Sequence, residues 1–517
     1  MQQESSIKSS HLTGLHLVLV TISLSLAAFM IVLDSSIANV SLPYIAGDLG
    51  VSVNQGTWVI TSFAVGNAIA LPLTGWLTKR IGSVRLMVST MVLFALFSWL
   101  CGAALDYPIL VGARFMQGFV GGPLIPLSQS LLLLSYPPEK RNFANAIFLI
   151  VIVVAPIAGP ILGGWITFNY TWRWIFYINV PIGILAALIC WPIMKDRGSQ
   201  SSKIPCDWIG LFLLTIGVGC LQILLDKGEQ LDWFENPVIW MLGIASFVSL
   251  TFLMVWEKYE QNPLLDFKLF KIRNFAIGAM MAMMMFMIFY GTIVITPLWL
   301  QTQMGYNAYW AGVAVSPMGI FPFLLALPVA KLMSKVRLER LLSFCFFILA
   351  LTFFWYSSFD TDVSLGFIAF SRLILGVSIA IFFNPLVTLS IQDIPKEKLP
   401  SATGLFYFFR TMGISTGTSG FVYLWDRRSI QHHFHMAELT TPYNENTSQA
   451  IAQLDQLHLA GEKGKEILNT LSDKQAYMLA TNDIFWLSAI LCIGLVCITF
   501  AFKKRQSKEP IVIHTAD

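Results

Sequence analysis

The chain has 517 residues, of which 56% are hydrophobic and 12% charged, with a mean hydropathy of +0.68 and a formal net charge of +4. Soluble proteins carry about 25% charged residues, so half that density along the whole length excludes a string of soluble domains and reads as an all-α polytopic membrane protein. The basic residues lie in short loops, which argues against nucleic-acid binding, and seven scattered Cys without CxxC or Cys/His spacing argue against a disulfide framework or a metal site.

Residues 1–13 are polar, and the apolar run that follows is too long for the core of a cleaved signal. A spanning helix needs about 20 apolar residues. Fourteen stretches qualify: 14–40, 57–78, 85–105, 108–134, 143–166, 172–194, 207–225, 236–257, 273–300, 309–333, 338–357, 363–390, 402–425 and 482–502. An even number places both termini on one side. Loops on that side hold roughly three times as many Lys and Arg as the others, which predicts cytoplasmic termini.

The first segment contains one acid, Asp34, within MIVLDSSIANVSLP. An ionised carboxylate in a bilayer costs roughly 2.5–3.5 kcal/mol on insertion scales, so it marks a functional site unless it caps a broken helix or sits in a wet mouth. Asn39, farther along the same segment, is a candidate polar contact for substrate. The loop GWLTKRIGSVR after the second segment offers Gly75 and Gly82 for close approach and a tight turn, and a basic cluster of Lys79, Arg80 and Arg85. The fourth segment carries RFMQG with Arg114, and Gln129 lies deeper in it. At 1.5 Å per residue, Asp34 falls roughly 9 Å beyond the middle of its segment and Arg114 roughly 10 Å from the middle of its own, on the same side. The two are expected to share a polar cluster that handles a proton; the alternative for Arg114 is a hydrogen-bond hub for neighbouring backbone.

The fifth segment reads APIAGPILGGW. Pro156, Gly159, Pro160, Gly163 and Gly164 permit kinking and close helix approach. The ninth segment has MMAMMMFMIFY, with Met284, Phe286 and Tyr290, and the thirteenth has FYFF with Tyr407 followed by Arg410. Adaptable Met and aromatic side chains suit a promiscuous apolar pocket, and a lipid-facing stripe is the competing explanation. Asn384 of the twelfth segment is a further polar candidate, and Arg410 is expected to join the proton-handling set. Residues 426–481 read as a long polar loop containing QHHFH, whose stretch 448–480 has the composition of an amphipathic hairpin. It reads as a docking or gating element.

An internal repeat organises the chain. RFMQG at 114–118 returns as RLILG at 372–376, and the same offset carries Gly159 onto Gly417 and Lys140 onto Lys398. This predicts a six-helix unit over 1–200, an inserted pair over 201–262, and a second six-helix unit over 263–517. Parallel halves around a central cavity are a transporter architecture. No GxxxxGK[ST] loop supports ATP drive, and neither an HxxxxD constellation nor a sizeable soluble domain supports a membrane enzyme or receptor.

The loop at 75–85 resembles the signature G-x-L-a-D-r-x-G-r-k of the major facilitator superfamily, with Lys79 where that family has an acid. The fifth segment resembles the G-x-x-x-G-P-x-x-G-G antiporter signature of drug-exporting facilitators. With LDSSIANVSLPYIAGDLG, QGTWVITSF, GPLIPLSQSLLL, WIFYINVPIG and LDKGEQLDWF, the whole chain is similar to the EmrB-type branch of fourteen-helix drug/proton antiporters. The resemblance implies the major facilitator fold with two inserted helices, no cofactor, and proton-coupled export of hydrophobic compounds from the inner membrane of a two-membrane bacterium. It also implies a periplasmic membrane-fusion adaptor and an outer-membrane channel as partners. The alternative is a dedicated exporter of one product such as a siderophore or fatty acid.

Overall fold

The computed structural model describes residues 12–503 apart from 198–200, 202–204, 262, 307, 442 and 457–460. A helix occupies every one of the predicted stretches. We number them α1 (Gly14–Asp48), α2 (Trp58–Ile81), α3 (Ser83–Ala103), α4 (Tyr107–Ser135), α5 (Arg141–Asn169), α6 (Trp174–Met194), α7 (Trp208–Lys227), α8 (Pro237–Tyr259), α9 (Arg273–Thr302), α10 (Trp310–Met333), α11 (Leu338–Tyr356), α12 (Leu365–Ile391), α13 (Leu399–Leu439) and α14 (Glu462–Thr499). Among the described residues, twelve of them are long and apolar enough to cross a membrane. α13 falls outside that set because its run TGLFYFFRTMGISTGTSG is diluted by Gly, Ser and Thr. The fold class is all-helical and multi-pass, with no strand among the described residues.

Breaks fall where the backbone chemistry demands them. α4 splits into Tyr107–Gly121 and Leu124–Ser135 around Gly122 and Pro123, because Pro lacks the N–H that would continue the ladder. α10 is interrupted by the turn Ser316–Gly319, which contains Pro317. Between α2 and α3, Gly82 takes φ of 93°, a conformation a side chain disfavours.

The largest departure from expectation is at 426–481, which is not a loop. α13 runs unbroken to Leu439, a short helix covers Glu445–Gln456, and α14 starts at Glu462. The reason is local: Phe421–Leu439 contains neither Gly nor Pro, so nothing stops the helix. The two extensions are stitched together by Arg428–Asp483 at 2.7 Å, His432–Asp483 at 2.7 Å and His433–Asp473 at 2.8 Å, with the Trp425 and Tyr477 rings 4.7 Å apart. His432 and His433 are thus engaged by acids while His435 meets the Gln431 carbonyl, and no metal cluster exists among the described residues.

Within the first six helices, α1 packs on α5 and α6, α2 on α4, and α3 on α6. Within the last six, α9 packs on α13, α10 on α12, and α11 on α14. The main contacts joining these groups are α2 with α13 and α5 with α10, with α4 also touching α13. α7 lies against α2 and α13 at this seam, while α8 packs on α7 and leaves Trp240, Phe247 and Phe252 more than half exposed. The α2–α13 contact is close. A Cβ on Gly75 would lie 2.7 Å from the Ser401 Cα, and one on Gly404 would lie 2.8 Å from the Leu71 carbonyl oxygen. Gly75 therefore serves the seam directly, while Lys79, Arg80 and Arg85 stay exposed on the adjoining turn.

Replacing Gly75 by Val forces α2 and α13 apart at this end. We expect a loss of about 1–3 kcal/mol, the usual cost of overpacking, read as a lower unfolding midpoint in detergent; an unchanged midpoint would show that the seam is looser than drawn.

Candidate functional site

Asp34 and Arg114 meet at 2.5 Å between Oδ2 and Nη1, and both side chains are fully buried. The pair is held from several helices. Gln117, one turn beyond Arg114 on α4, accepts from Arg114 Nη1 at 2.8 Å and donates Nε2 to Asp34 Oδ1 at 3.0 Å. Asn179 of α6 donates Nδ2 to Asp34 Oδ1 at 2.7 Å and to Ser98 Oγ of α3 at 3.1 Å. Ser98 in turn donates to the Phe176 carbonyl at 2.8 Å. Arg114 Nε donates to the Val59 carbonyl of α2 at 3.0 Å. The guanidinium lies over the Phe63 ring at 4.3 Å and the Phe176 ring at 5.4 Å, which shields the face that no acceptor occupies. Asp34 accepts from three donors, so its charge is matched by hydrogen bonds as well as by the cation.

The glycine-rich stretch of α5 buttresses this cluster. A Cβ on Gly159 would lie 2.5 Å from the Ser36 Cβ, and one on Gly163 would lie 2.8 Å from the Ile37 Cγ1. Ser36 Oγ donates to the Pro156 carbonyl at 3.0 Å. Small residues on α5 thus let it press on α1 two and three residues from the acid. Gly164 is half-buried, and the side chain of Pro160 lies outside the described set. The repeat offset gives the matching contact in the second half, where Gly413 and Gly417 of α13 abut the Met283 and Met287 backbone of α9.

The other expected site residues divide into two places. Arg410, buried on α13, lies over Phe286 at 4.5 Å and Tyr407 at 5.4 Å. Tyr290 stacks on Phe286 at 6.1 Å, and Phe382 and Phe383 close around the same ring at 5.7 and 6.0 Å. The Tyr407 hydroxyl, Arg410 Nε and Asn384 Nδ2 are buried without a hydrogen-bond partner among the described residues. Met284 is half-buried on α9. This aromatic and cationic cluster belongs to the second half, so the structure does not bring Arg410 into contact with Asp34. Gln129, in the first half, donates to Asn145 at 3.3 Å. Asn145 lines a cavity of about 560 Å³ between the halves, on the face where the described chain ends, together with Arg141, Arg337, Thr388, Gln392 and Lys396. Asn39 is exposed on α1 and joins neither cluster.

Sequence reasoning missed Gln117 and Asn179 as partners of the acid. A signal existed: Gln117 sits in RFMQG at helical spacing from Arg114, and Asn179 is the polar residue of WIFYINVPIG.

A multi-pass helical protein with two repeated halves, a seam between them and a buried ion pair in one of them is built as a secondary transporter. The family model described as Major Facilitator Superfamily matches residues 24–418, and the chain belongs to that superfamily. It is 44% identical to "Multidrug export protein EmrB" of Haemophilus influenzae over 500 residues, covering 96% of this chain and 98% of that one. It is 43% identical to the Escherichia coli K12 protein of the same name, with 96% and 97% covered, and 43% identical to "Fatty acid resistance protein FarB" of Neisseria gonorrhoeae, with 95% and 97% covered. Among solved structures, the human organic anion transporter MFSD10 shares the fold at TM-score 0.56 and 12% identity, with 93% of this chain and 100% of that chain covered. The proton:xylose symporter XylE does so at 0.56 and 13%, with 92% and 94% covered.

Removing one member of the buried pair strands the other. Arg114→Met is expected to destabilise the fold by about 3–5 kcal/mol, whereas Asp34→Asn with Arg114→Met together should cost clearly less. A double-mutant cycle on detergent unfolding measures this, and strict additivity would contradict the pairing.

Proposed function

We propose that the protein exports hydrophobic, chemically diverse compounds across the inner membrane in exchange for protons, by alternating access between its two halves. The observation that carries the reading is the Asp34 carboxylate, enclosed in an apolar span yet bonded to Arg114, Gln117 and Asn179. Proton binding turns the carboxylate into a neutral acid, removes its attraction for the guanidinium and leaves Arg114 to find other partners. Because α5 presses on α1 beside the acid, that rearrangement is felt by α5, and α5 meets α10 across the seam. Proton release to the other side restores the pair. In this cycle the acid carries the proton, Arg114 and Asn179 hold the acid in place, and the glycines of α5 pass the change on.

Substrate would occupy the space between the halves. The polar cavity that includes Asn145 and Gln392 suits entry from the cytoplasm, and the Phe286, Tyr290 and Tyr407 rings with Arg410 suit an apolar body bearing a negative or hydrogen-bonding group. The names of the EmrB relatives favour many drugs as substrates; that of FarB fits a narrower choice, fatty acids, and keeps the single-product reading open. Orientation follows the Lys/Arg asymmetry, which puts the termini in the cytoplasm and the α13–α14 extension in the periplasm. That paired-helix extension is the part suited to a membrane-fusion adaptor that leads on to an outer-membrane channel.

The test is drug-stimulated proton movement in proteoliposomes. Wild type should couple the two flows, and Asp34→Asn should abolish proton movement while substrate still binds. Proton-coupled export that survives in Asp34→Asn would refute the mechanism. A Gly159→Val variant should fold but transport slowly, because a larger side chain lifts α5 off Ser36.

A further inference from the structure

The proline-rich stretch of α5 leaves a backbone group for α1 to satisfy. Pro160 has no N–H, so it cannot donate to the carbonyl of Pro156 four residues earlier. A bare carbonyl in an apolar span is costly, and membrane helices tolerate proline where a neighbouring side chain satisfies the freed group. Ser36 of α1 does so: its Oγ donates to the Pro156 carbonyl at 3.0 Å. Gly159 makes the reach possible, since a Cβ there would lie 2.6 Å from the Ser36 Oγ. Ser36 follows Asp34 by two residues, about 200° around the helix. α1 therefore turns its acid toward α4 and α6 and its hydroxyl toward α5. A second link, Ser41 Oγ with Thr167 Oγ1 at 2.7 Å, joins the same helices farther along. It connects two side chains and leaves the backbone bonding of α5 as it is.

The internal repeat supplies a control. Its offset carries Pro160 onto Thr418, Pro156 onto Ile414 and Ser36 onto Val294. Thr418 has the N–H that Pro160 lacks, and its hydroxyl also donates to the Ile414 carbonyl at 3.1 Å. α13 thus satisfies itself, and α9 places a valine where α1 has the serine. The freed carbonyl, the hydroxyl that caps it and the acid occur together in the first half and are missing together from the second.

We propose that Ser36 is the positioning residue that carries the protonation state of Asp34 into α5, by giving or withdrawing the hydrogen bond that Pro160 withholds from the Pro156 carbonyl. With Asp34 charged, its bonds to Arg114, Gln117 and Asn179 fix α1, and Ser36 holds the Pro156 carbonyl. Protonation ends the attraction for Arg114 and lets α1 shift. Ser36 shifts with it, its bond to Pro156 is lost, and α5 bends at Pro160 until the carbonyl finds another donor. The titratable and charged groups that face Asp34 are few among the described residues. α4 brings Arg114, and α3 brings Cys101, whose thiol donates to Gln117 Oε1 at 3.4 Å. α6 brings Asn179, α2 brings the Val59 carbonyl and the Phe63 ring, and α5 brings Thr167 and its glycines, none of which titrates. Asp34 is the one carboxyl in the group.

Ser36 acts here through the proton exchange proposed above, on which this role rests, and the experiment separates the two. It is hydrogen–deuterium exchange of the full chain in detergent at acid and at alkaline pH, corrected for the intrinsic pH dependence of amide exchange, with the proton as the only ligand. In wild type, acid is expected to raise exchange in the α4 and α6 segments that carry Arg114 and Asn179, and also in α5 around Pro156. If α4 and α6 do not respond, or respond equally in Asp34→Asn, it is the proton reading that fails. Given their response, Ser36→Ala is expected to keep it in α4 and α6 and to lose it in α5, whose exchange is then high at both pH values. Pro160→Ala returns an N–H to the Pro156 carbonyl, so α5 is expected to stay protected at both pH values, and adding Ser36→Ala should change nothing further. A hydroxyl with a merely structural role would raise α5 exchange by the same factor at both pH values and leave its response to acid in place. An α5 that ignores acid in wild type, or whose response survives in Ser36→Ala, overturns the proposal. Where Ser36→Ala does not fold, a response of α5 that survives in Pro160→Ala overturns it.

Discussion

The structure depends on one constraint: a carboxylate within an apolar span must be compensated wherever it goes. Asp34 draws a guanidinium, a glutamine and an asparagine from three directions, and each of these draws further partners of its own. Arg114 reaches the Val59 carbonyl and two aromatic faces, and Asn179 reaches Ser98. The cluster therefore ties α1, α2, α3, α4 and α6 together through side-chain polarity in a place where the hydrophobic effect gives helices little reason to associate. A change in the charge of one atom pair has to be absorbed by most of the first half.

The second half is built on the same plan without the acid. The repeat offset carries Arg114 onto Arg372 and Asp34 onto Thr292. Arg372 is as buried as its counterpart, yet it donates to the Thr296 hydroxyl at 2.9 Å and lies over the Tyr356 ring at 4.5 Å, with no ion pair among the described residues. A guanidinium held by a hydroxyl and rings is a fixture, because nothing bonded to it gains or loses a proton near neutral pH. The geometry thus places the buried ion pair in one half and the aromatic cluster of Phe286, Tyr407 and Arg410 in the other. Coupling between them has to travel through the seam helices α2, α5, α10 and α13.

Much of this was legible in the sequence, for physical reasons. Membrane helices are long, apolar and closed to water, so hydropathy alone located an apolar core for each of them, though not the full length of α1, α13 and α14. The buried acid and base stood out because charge is rare in such segments. In the 426–481 region helical composition was legible over 448–480, but the run of α13 to Leu439 was not, because polarity was taken to mean loop where helix propensity without Gly or Pro carried the helix past its apolar stretch. Gln222 was passed over for a related reason, since only the packing of α7 against α2 and α13 reveals that it meets Ser415 across the seam. Which neighbour a helix faces is a tertiary fact that spacing along one strand of text does not contain.

The inserted pair makes most sense in this light. Two six-helix halves already meet through α2–α13 and α5–α10, and α8 adds little to the core, with most of its surface turned outward. α7 instead fills the space beside α2 and α13 and bonds to both. Where Gly75 and Gly404 bring α2 and α13 into direct contact at one end, α7 spans them toward the other. A rocking motion of the halves must open one of these junctions as it closes the other. The close-packed end resists through shape and the α7 end through hydrogen bonds. An insertion that contributes so little to packing is explained if its role is to give the seam a polar end.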